Sequence, residues 1–241
     1  MAMAGRMAIP TAMLSEIFRP ITTTTVMTTD GQILTLTQWL SPAYPVGAFA
    51  YSHGLESAAA QGWVRTGADL GEWLADIIEH GTGHNDALFL AAAYQAQDAA
   101  AVGLVDATAR AFAPSRERLL ETDQQGAAFC RMTGAVWGAE IAGLTYPIAL
   151  GRAAAIEGLP LTLTAKMYLH GFLSNLIGAG QRLLPLGQTE AQTILRALTP
   201  LCTTVAERAA TGDLDQLQSS AFLSDIASMQ HETQYSRIFR T

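Results

Sequence analysis

Residues 161–184 are apolar on nearly every helical face, and no other stretch limits the possible folds as strongly. Such a helix either spans a membrane or forms the buried centre of a helical bundle, because both surroundings exclude water from all its sides. Polar side chains interrupt this segment at Lys166, His170, Asn175 and Gln181. Polar groups are costly inside a bilayer, so these residues favour the bundle and predict no membrane insertion.

The remainder of the chain from Ile33 onward is rich in alanine and leucine and shows no sustained strand alternation. Its apolar residues recur at helical spacing, which predicts an all-α, single-domain, multi-helix bundle with residues 161–184 as the buried central helix. One helix start is marked by Asp69 and Glu72, whose spacing fits a capping box. Further helices are predicted over residues 52–60, 87–97, 99–111, 115–132 and 133–156, the last with a kink at Pro147.

Composition narrows the class of protein. Hydrophobic residues make up 49% of the 241 residues, which suits one compact domain over residues 31–241. Residues 1–30 include four consecutive threonines and no sustained periodicity of apolar residues, as is typical of a disordered leader.

The charge of the chain bears on its partners. Lysine and arginine number 14 against 21 aspartates and glutamates, so we expect no nucleic-acid partner. The N-terminus lacks the apolar run of a secretory signal, which predicts a cytoplasmic protein.

Recognised catalytic motifs are missing from the sequence, which contains no phosphate-binding loop, dinucleotide-binding glycine pattern, nucleophile elbow or zinc-protease histidine pair. The weak candidates for a metal site are His80 and His84, which on an unbroken helix would lie one turn apart near Glu79 and Asp86. Two glycines separate the histidines, so the helix could instead end there and leave two ordinary side chains. A metal-dependent hydrolase built on this pair is therefore one alternative function.

Residues 45–56 combine turn-forming residues, aromatic rings, a histidine and a carboxylate without any known catalytic spacing. Pro45 and Gly47 predict a turn that leads into the N-terminus of a helix. Tyr51 and Glu56 could then offer a hydroxyl and a carboxylate to a partner protein, with Phe49 and Leu55 as apolar anchors. The alternative is that the aromatic and aliphatic side chains belong to the core and Glu56 is a solvated charge.

Three segments together resemble the UreF family of urease accessory proteins. They are residues 45–56, residues 181–188 (Gln-Arg-Leu-Leu-Pro-Leu-Gly-Gln) and residues 231–240 (His-Glu-Thr-Gln-Tyr-Ser-Arg-Ile-Phe-Arg), and the similarity covers nearly all of the chain after residue 33. The resemblance implies an all-helical, non-enzymatic protein that forms a homodimer and needs no cofactor. It further implies binding to UreD (also called UreH), to the GTPase UreG and to the urease apoprotein, in support of GTP-dependent nickel insertion.

The resemblance also implies roles for individual residues. It places contact with UreG at Glu56 and Arg182, accompanied by Tyr51, His53 and Gln181. It places contact with UreD in the C-terminal segment, at His231, Glu232, Tyr235, Arg237, Phe239 and Arg240. From chemistry alone, Arg182 could either bond carbonyl groups at a helix C-terminus or reach a partner's carboxylate.

Two expectations follow from this assignment. A protein that passes nickel on must release it, so we expect no tight nickel site on the isolated chain. A surface role for Glu56 predicts that Glu56→Ala keeps the fold and UreD binding but lowers urease activation. A general helical assembly adaptor, unrelated to urease, remains the second alternative, and such an adaptor would not select UreD and UreG.

Overall fold

The computed structural model describes residues 28–241, which form α-helices, two short 3₁₀ turns and the loops between them. The helices are α1 (Asp30–Trp39), α2 (Leu55–Ala60), α3 (Gly67–His80), α4 (Thr82–Gln95), α5 (Ala99–Ala111), α6 (Arg116–Trp137), α7 (Tyr146–Ile156), α8 (Leu161–Leu183), α9 (Gln188–Ala209) and α10 (Phe222–His231). No strand occurs in this part of the chain. The predicted all-α single domain is confirmed, and the predicted leader lies outside the described residues except for its last three.

Helix α8 lies at the centre of the bundle and packs against α9, α4, α7, α3 and α2. Its aliphatic residues Leu169, Leu173 and Leu176 are buried among these neighbours. The opposite side of α8 is open, because His170 and Ser174 are exposed there. Among residues 28–241, no helix combines the length and apolar character needed to cross a membrane.

Helices α4 and α7 form the most extensive contact in the bundle. Their backbones approach closely at Gly151, where an added Cβ would overlap the carbonyl oxygen of Leu90. Glycine is needed at this point because any side chain would push the two helices apart. Helix α4 also packs against α8, where the Tyr168 hydroxyl donates to the Asp86 carboxylate at 2.7 Å.

The start of α3 differs from the prediction. The capping box is formed by Thr66 and Asp69, not by Asp69 and Glu72, because the Thr66 side chain accepts from the Asp69 amide and the Asp69 carboxylate accepts from the Thr66 amide. The same carboxylate accepts from the Arg65 amide, and this hydrogen bond is the main cause of the lowered pKa of Asp69. The helix therefore begins one turn earlier than the acidic pair suggests.

The predicted kink at Pro147 is wrong. Helix α6 continues to Trp137, a loop follows, and Pro147 lies in the first turn of the new helix α7. Proline suits that position because the first amides of a helix have no intrahelical acceptor to lose. Helix α4 also begins at Thr82, five residues before the predicted start, since the glycine at position 83 lets its first turn lie against Ile78 of α3.

Candidate functional site

Residues 45–56 fold as a 3₁₀ turn, a short extended stretch and the start of α2, in place of the helix predicted from residue 52. His53 and Gly54 have positive φ values of 58° and 78°, which end the extended stretch and set the direction of α2. A Cβ at Gly54 would lie 2.7 Å from the Ser228 amide nitrogen. Glycine here therefore serves both the left-handed turn and the close packing of α10 on α2.

The C-terminal tail, defined as residues 232–241, crosses directly over this segment. The Arg240 amide donates to the Ala50 carbonyl at 2.9 Å, and the Ser52 amide donates to the Thr241 carbonyl at 2.9 Å. The Ser52 hydroxyl also donates to the Thr241 carbonyl. These backbone bonds pair the end of the tail with the extended stretch before α2, in the way that two short strands pair.

The Glu56 carboxylate accepts hydrogen bonds from two backbone amides of the tail. Its Oε1 accepts from the Ile238 amide at 2.7 Å, and its Oε2 accepts from the Phe239 amide at 2.8 Å. The Nε2 atom of His231 lies 3.2 Å from the same Oε2. Glu56 is only 5% exposed, so this carboxylate is satisfied inside the protein by the chain itself.

A second carboxylate extends the same network. The Nδ1 atom of His231 lies 2.6 Å from Oε2 of Glu117, and the Arg237 guanidinium lies 2.5 Å from Oε1 of Glu117. His231 is fully buried at the end of α10, whereas Arg237 is more than one third exposed. Glu117 thus joins α6 both to α10 and to the tail.

Arg182, near the end of α8, links the tail to residues 45–56. Its guanidinium lies 4.0 Å above the centre of the Phe239 ring, and its Nη2 donates to the Phe49 carbonyl at 2.8 Å. Phe239 is 4% exposed beneath it. Partial burial lowers the pKa of Arg182, although the nearby Glu56 carboxylate opposes this shift. We call the group formed by Ala50, Ser52, Glu56, Glu117 and Arg182 the tail seat.

The outer side of the docked tail is apolar and open to solvent. Tyr235 is fully exposed and Ile238 is 69% exposed. Phe49, whose carbonyl accepts from Arg182 of the tail seat, is also 69% exposed. Glu232 pairs with Arg116 at 2.8 Å, an interaction that lowers the pKa of Glu232. An apolar patch carried on a short ordered segment is the kind of surface that other proteins bind.

A sequence model of the UreF family matches residues 64–199, more than half of the chain. The chain is also 54% identical to the urease accessory protein UreF of Ruegeria pomeroyi, over 88% of this chain and 98% of that protein. It is 57% identical to the UreF of Ruegeria sp. strain TM1040, over 88% of this chain and 100% of the relative. The chain belongs to the UreF family. A more distant member, from Rhodopseudomonas palustris, is 45% identical over 86% of this chain and 90% of its own length.

The three segments that carry the resemblance to the UreF family converge on one surface. Residues 45–56 and Arg182 form most of the tail seat, and the third segment is the tail. Gln181 is half-buried next to Arg182 on α8. More than a hundred residues separate the first segment from the second, and about forty separate the second from the third. Only the packing of α8 and α10 against α2 brings all three together.

Besides Glu56, His231 and Phe239, two further residues assigned to partner contact, Tyr51 and His53, lie in the interior. Tyr51 is 3% exposed, and its hydroxyl donates to Gln124 at 2.6 Å. His53 is 2% exposed, with its ring edge-on to Phe172 at 5.1 Å, and burial lowers its pKa well below the usual value. Leu55 is likewise buried, whereas Phe49 is exposed, so only one of the two expected apolar anchors is accessible.

The metal candidates His80 and His84 do not lie on one unbroken helix. Helix α3 ends at His80, which is exposed, and α4 begins at Thr82 after a break at Gly81. His84 is buried, its Nε2 faces the Gln216 carbonyl at 3.0 Å, and burial lowers its pKa. Within residues 28–241, no group of three or more potential ligand side chains could hold a metal ion. The prediction that a helix ends at the glycines between the two histidines is confirmed.

Sequence reasoning missed a cavity of about 560 Å³ beside the tail seat. Its inner end is lined by Asp86, Tyr168 and the buried pair Arg118 and Glu121. The signal in the sequence is on α6, where Arg118, Glu121 and Gln125 are polar yet spaced for one buried face. Such a pattern marks polar residues that a fold encloses together, although it does not reveal their partners on other helices.

Burial raises the pKa of Asp86 to about 6, against the smaller opposing effects of the Tyr168 hydrogen bond and Arg118. Because the folded pKa exceeds the unfolded value of 3.8, this group's stabilising contribution is complete only below the unfolded pKa and is lost as the pH rises through about 6. We expect Asp86→Asn to match the parent near pH 3 and to be about 1 to 3 kcal/mol more stable near pH 7. Urea unfolding at both pH values measures this difference.

The control for this prediction is Asp76→Asn on the exposed side of α3. That exchange should change the free energy of unfolding little at either pH, because the carboxylate is solvated in both states. Equal stability of Asp86→Asn and the parent at neutral pH would show that Asp86 is as well solvated as Asp76.

Proposed function

We propose that this chain is a non-enzymatic adaptor in the assembly of active urease. In this proposal it binds UreD (UreH) and the GTPase UreG, and it supports GTP-dependent insertion of nickel into the urease apoprotein. It acts in the cytoplasm as a homodimer and holds no cofactor or tight nickel site of its own. Its relatives carry the name urease accessory protein, which supports a role in assisting urease.

One observation carries the proposal. The three family segments meet at the tail seat and present Phe49, Tyr235 and Ile238 to solvent around an internally satisfied core of charges. Such a surface suits protein binding, because aromatic and aliphatic anchors contribute most of the affinity while a rigid base lowers the entropy cost of ordering them. In this reading Glu56 supports the binding surface from below, and Arg182 presents its remaining N–H groups at the rim.

The inner tail seat and the outer tail face make separate contributions. Glu56 and Phe239 hold the tail, and their side chains are buried. Tyr235 and Ile238 contribute little to holding it, since their side chains point outward. A partner that binds the tail would therefore lose affinity when residues are substituted either in the tail seat or on the outer face of the tail. Only substitutions in the tail seat would also release the tail.

The test uses Ile238→Ser, which removes an outward apolar side chain. Because that side chain is 69% exposed, we expect the free energy of unfolding to stay within about 0.5 kcal/mol of the parent. We expect the affinity for the partner that binds the tail, UreD in this proposal, to fall about tenfold or more. Co-purification with UreD, then addition of UreG with and without GTP, followed by light scattering on a sizing column, measures both steps.

The matched control is Leu104→Ser, since Leu104 on α5 is also 69% exposed. It should leave the complexes intact. Equal weakening by both variants would indicate a general loss of surface hydrophobicity and would remove the tail from the proposal. A chain that stays alone with UreD and UreG under all conditions would contradict the proposed function as a whole.

A further inference from the structure

The ring of His231 occupies an unusual position between two carboxylates. Its Nδ1 faces Oε2 of Glu117 at 2.6 Å, and its Nε2 faces Oε2 of Glu56 at 3.2 Å. The two acids come from different helices, α6 and α2, while His231 is the last residue of α10. The ring is fully buried, so water cannot replace either carboxylate as its partner.

This geometry determines how many protons the ring must carry. Ionised carboxylates only accept hydrogen bonds, and a neutral imidazole has one N–H group and one lone pair. A neutral ring at His231 would therefore aim a lone pair at one of the two carboxylates, and a buried repulsive contact of this kind is costly. Only the doubly protonated ring donates to both Glu56 and Glu117.

The charges of the cluster agree with this conclusion. Arg237 lies on the other oxygen of Glu117 at 2.5 Å, so the two carboxylates face one guanidinium and the ring. Of the other charged groups nearby, Arg116 pairs with Glu232 and Arg118 pairs with Glu121, whereas Arg182 donates to the Phe49 carbonyl and acts on Glu56 only through its charge. The four groups that bond directly to one another, Glu56, Glu117, Arg237 and His231, sum to zero charge when His231 carries a positive charge.

We infer that His231 is held as an imidazolium and acts as the positioning residue for Glu56. Its Nε2–H fixes the carboxylate in the orientation in which both oxygens accept tail amides, those of Ile238 and Phe239. His231 thus sets the tail on its seat although its own side chain never reaches the surface. The inference depends on the proposed function only for its consequence, the presentation of the tail to a partner.

The first test is the protonation state of the ring in the isolated full chain. A nitrogen-15 NMR spectrum of histidine-labelled protein at about pH 7 should show N–H protons on both ring nitrogens of His231. His80→Gln, a change at an exposed histidine, should leave these two signals unchanged, whereas His231→Gln should remove them. A single ring N–H in protein whose tail amides are protected from exchange would overturn the inference.

The second test asks whether hydrogen bonding to both carboxylates or merely the size of the side chain matters. In His231→Gln, the NH₂ group of the glutamine side chain can donate to one carboxylate, but its oxygen then faces the other carboxylate and repels it. We therefore expect hydrogen-exchange protection of the Ile238 and Phe239 backbone amides to fall about tenfold or more. Adding Glu117→Gln supplies an N–H donor opposite that oxygen, and the double variant should recover much of the lost protection. A role in packing alone would give no such rescue.

Protection in the double variant that is as low as in His231→Gln, or full protection in His231→Gln, would contradict the positioning role. Neither test involves a partner protein. A failed co-purification with UreD and UreG would therefore contradict the proposed function but not the inference about His231. A single ring N–H on His231 would contradict that inference but not the proposed function.

Discussion

Glu56→Ala is expected to release the C-terminal tail and to destabilise the protein by about 3 to 5 kcal/mol, because removing one member of a buried charge network leaves the others unpaired. The amides of Ile238 and Phe239 lose their acceptor, and His231 keeps only Glu117 as a partner. This outcome differs from the expectation based on sequence, in which Glu56 lies on the surface and its loss spares the fold and UreD binding. The burial of the carboxylate changes that expectation.

The measurement combines chemical unfolding with exchange of the tail amides. Glu72→Ala, at an exposed glutamate of α3, is the matched control and should change stability by less than about 0.5 kcal/mol. Glu56→Gln separates shape from charge, since its single amide oxygen can accept only part of what the carboxylate accepts. If Glu56→Ala kept both tail amides protected from exchange, the tail would be held by other contacts and not by hydrogen bonds to Glu56.

Phe239→Ala is expected to have the second large effect. The ring is 4% exposed beneath the Arg182 guanidinium, and truncating a buried phenylalanine costs about 3 to 5 kcal/mol where the surroundings cannot relax. The tail can leave its seat without unfolding the bundle, so much of this loss should appear as local release of the tail rather than as global unfolding. If the proposed partner UreD binds the tail, its affinity should fall as well, because a released tail must be ordered again on binding.

Hydrogen exchange of residues 236–241, compared with that of the α8 backbone, distinguishes local release from global unfolding. Phe222→Ala is the control, because Phe222 is 66% exposed at the start of α10. Arg182→Lys should show part of the Phe239→Ala effect, since lysine keeps the charge but loses the planar group that covers the ring and donates to Phe49. Uniform destabilisation of α8 and the tail together would mean that the tail is an integral part of the core.

Several features of the fold could be predicted from local sequence because local chemistry controls them. The 99–111 helix has the bounds observed for α5, and the central helix ends within one residue of its predicted end. Errors arose where two signals overlap locally. Pro147 marks the start of a helix as readily as a kink, and Asp69 fits either the first or the last position of a capping box.

The candidate site was predictable only in part. Sequence resemblance selects Glu56, Arg182 and the tail, and all three are in contact through Phe239 and its neighbours. It also selects Tyr51 and His53, which packing turns into the interior. Glu117 carries no signal in the sequence, because a glutamate in the first turn of a helix is common and its partner His231 is far away in the chain.

The sequence by itself determined that this chain forms one all-helical bundle of the UreF family, since helical periodicity and family motifs are local properties that residue order alone contains. Only the tertiary structure decided that Glu56 is a buried hydrogen-bond acceptor for the tail and not a surface charge. The burial of a carboxylate and the partners of its two oxygens depend on which distant segments pack over it. Here α10 and the tail, more than 170 residues later in the chain, supply the donors that make a buried Glu56 stable.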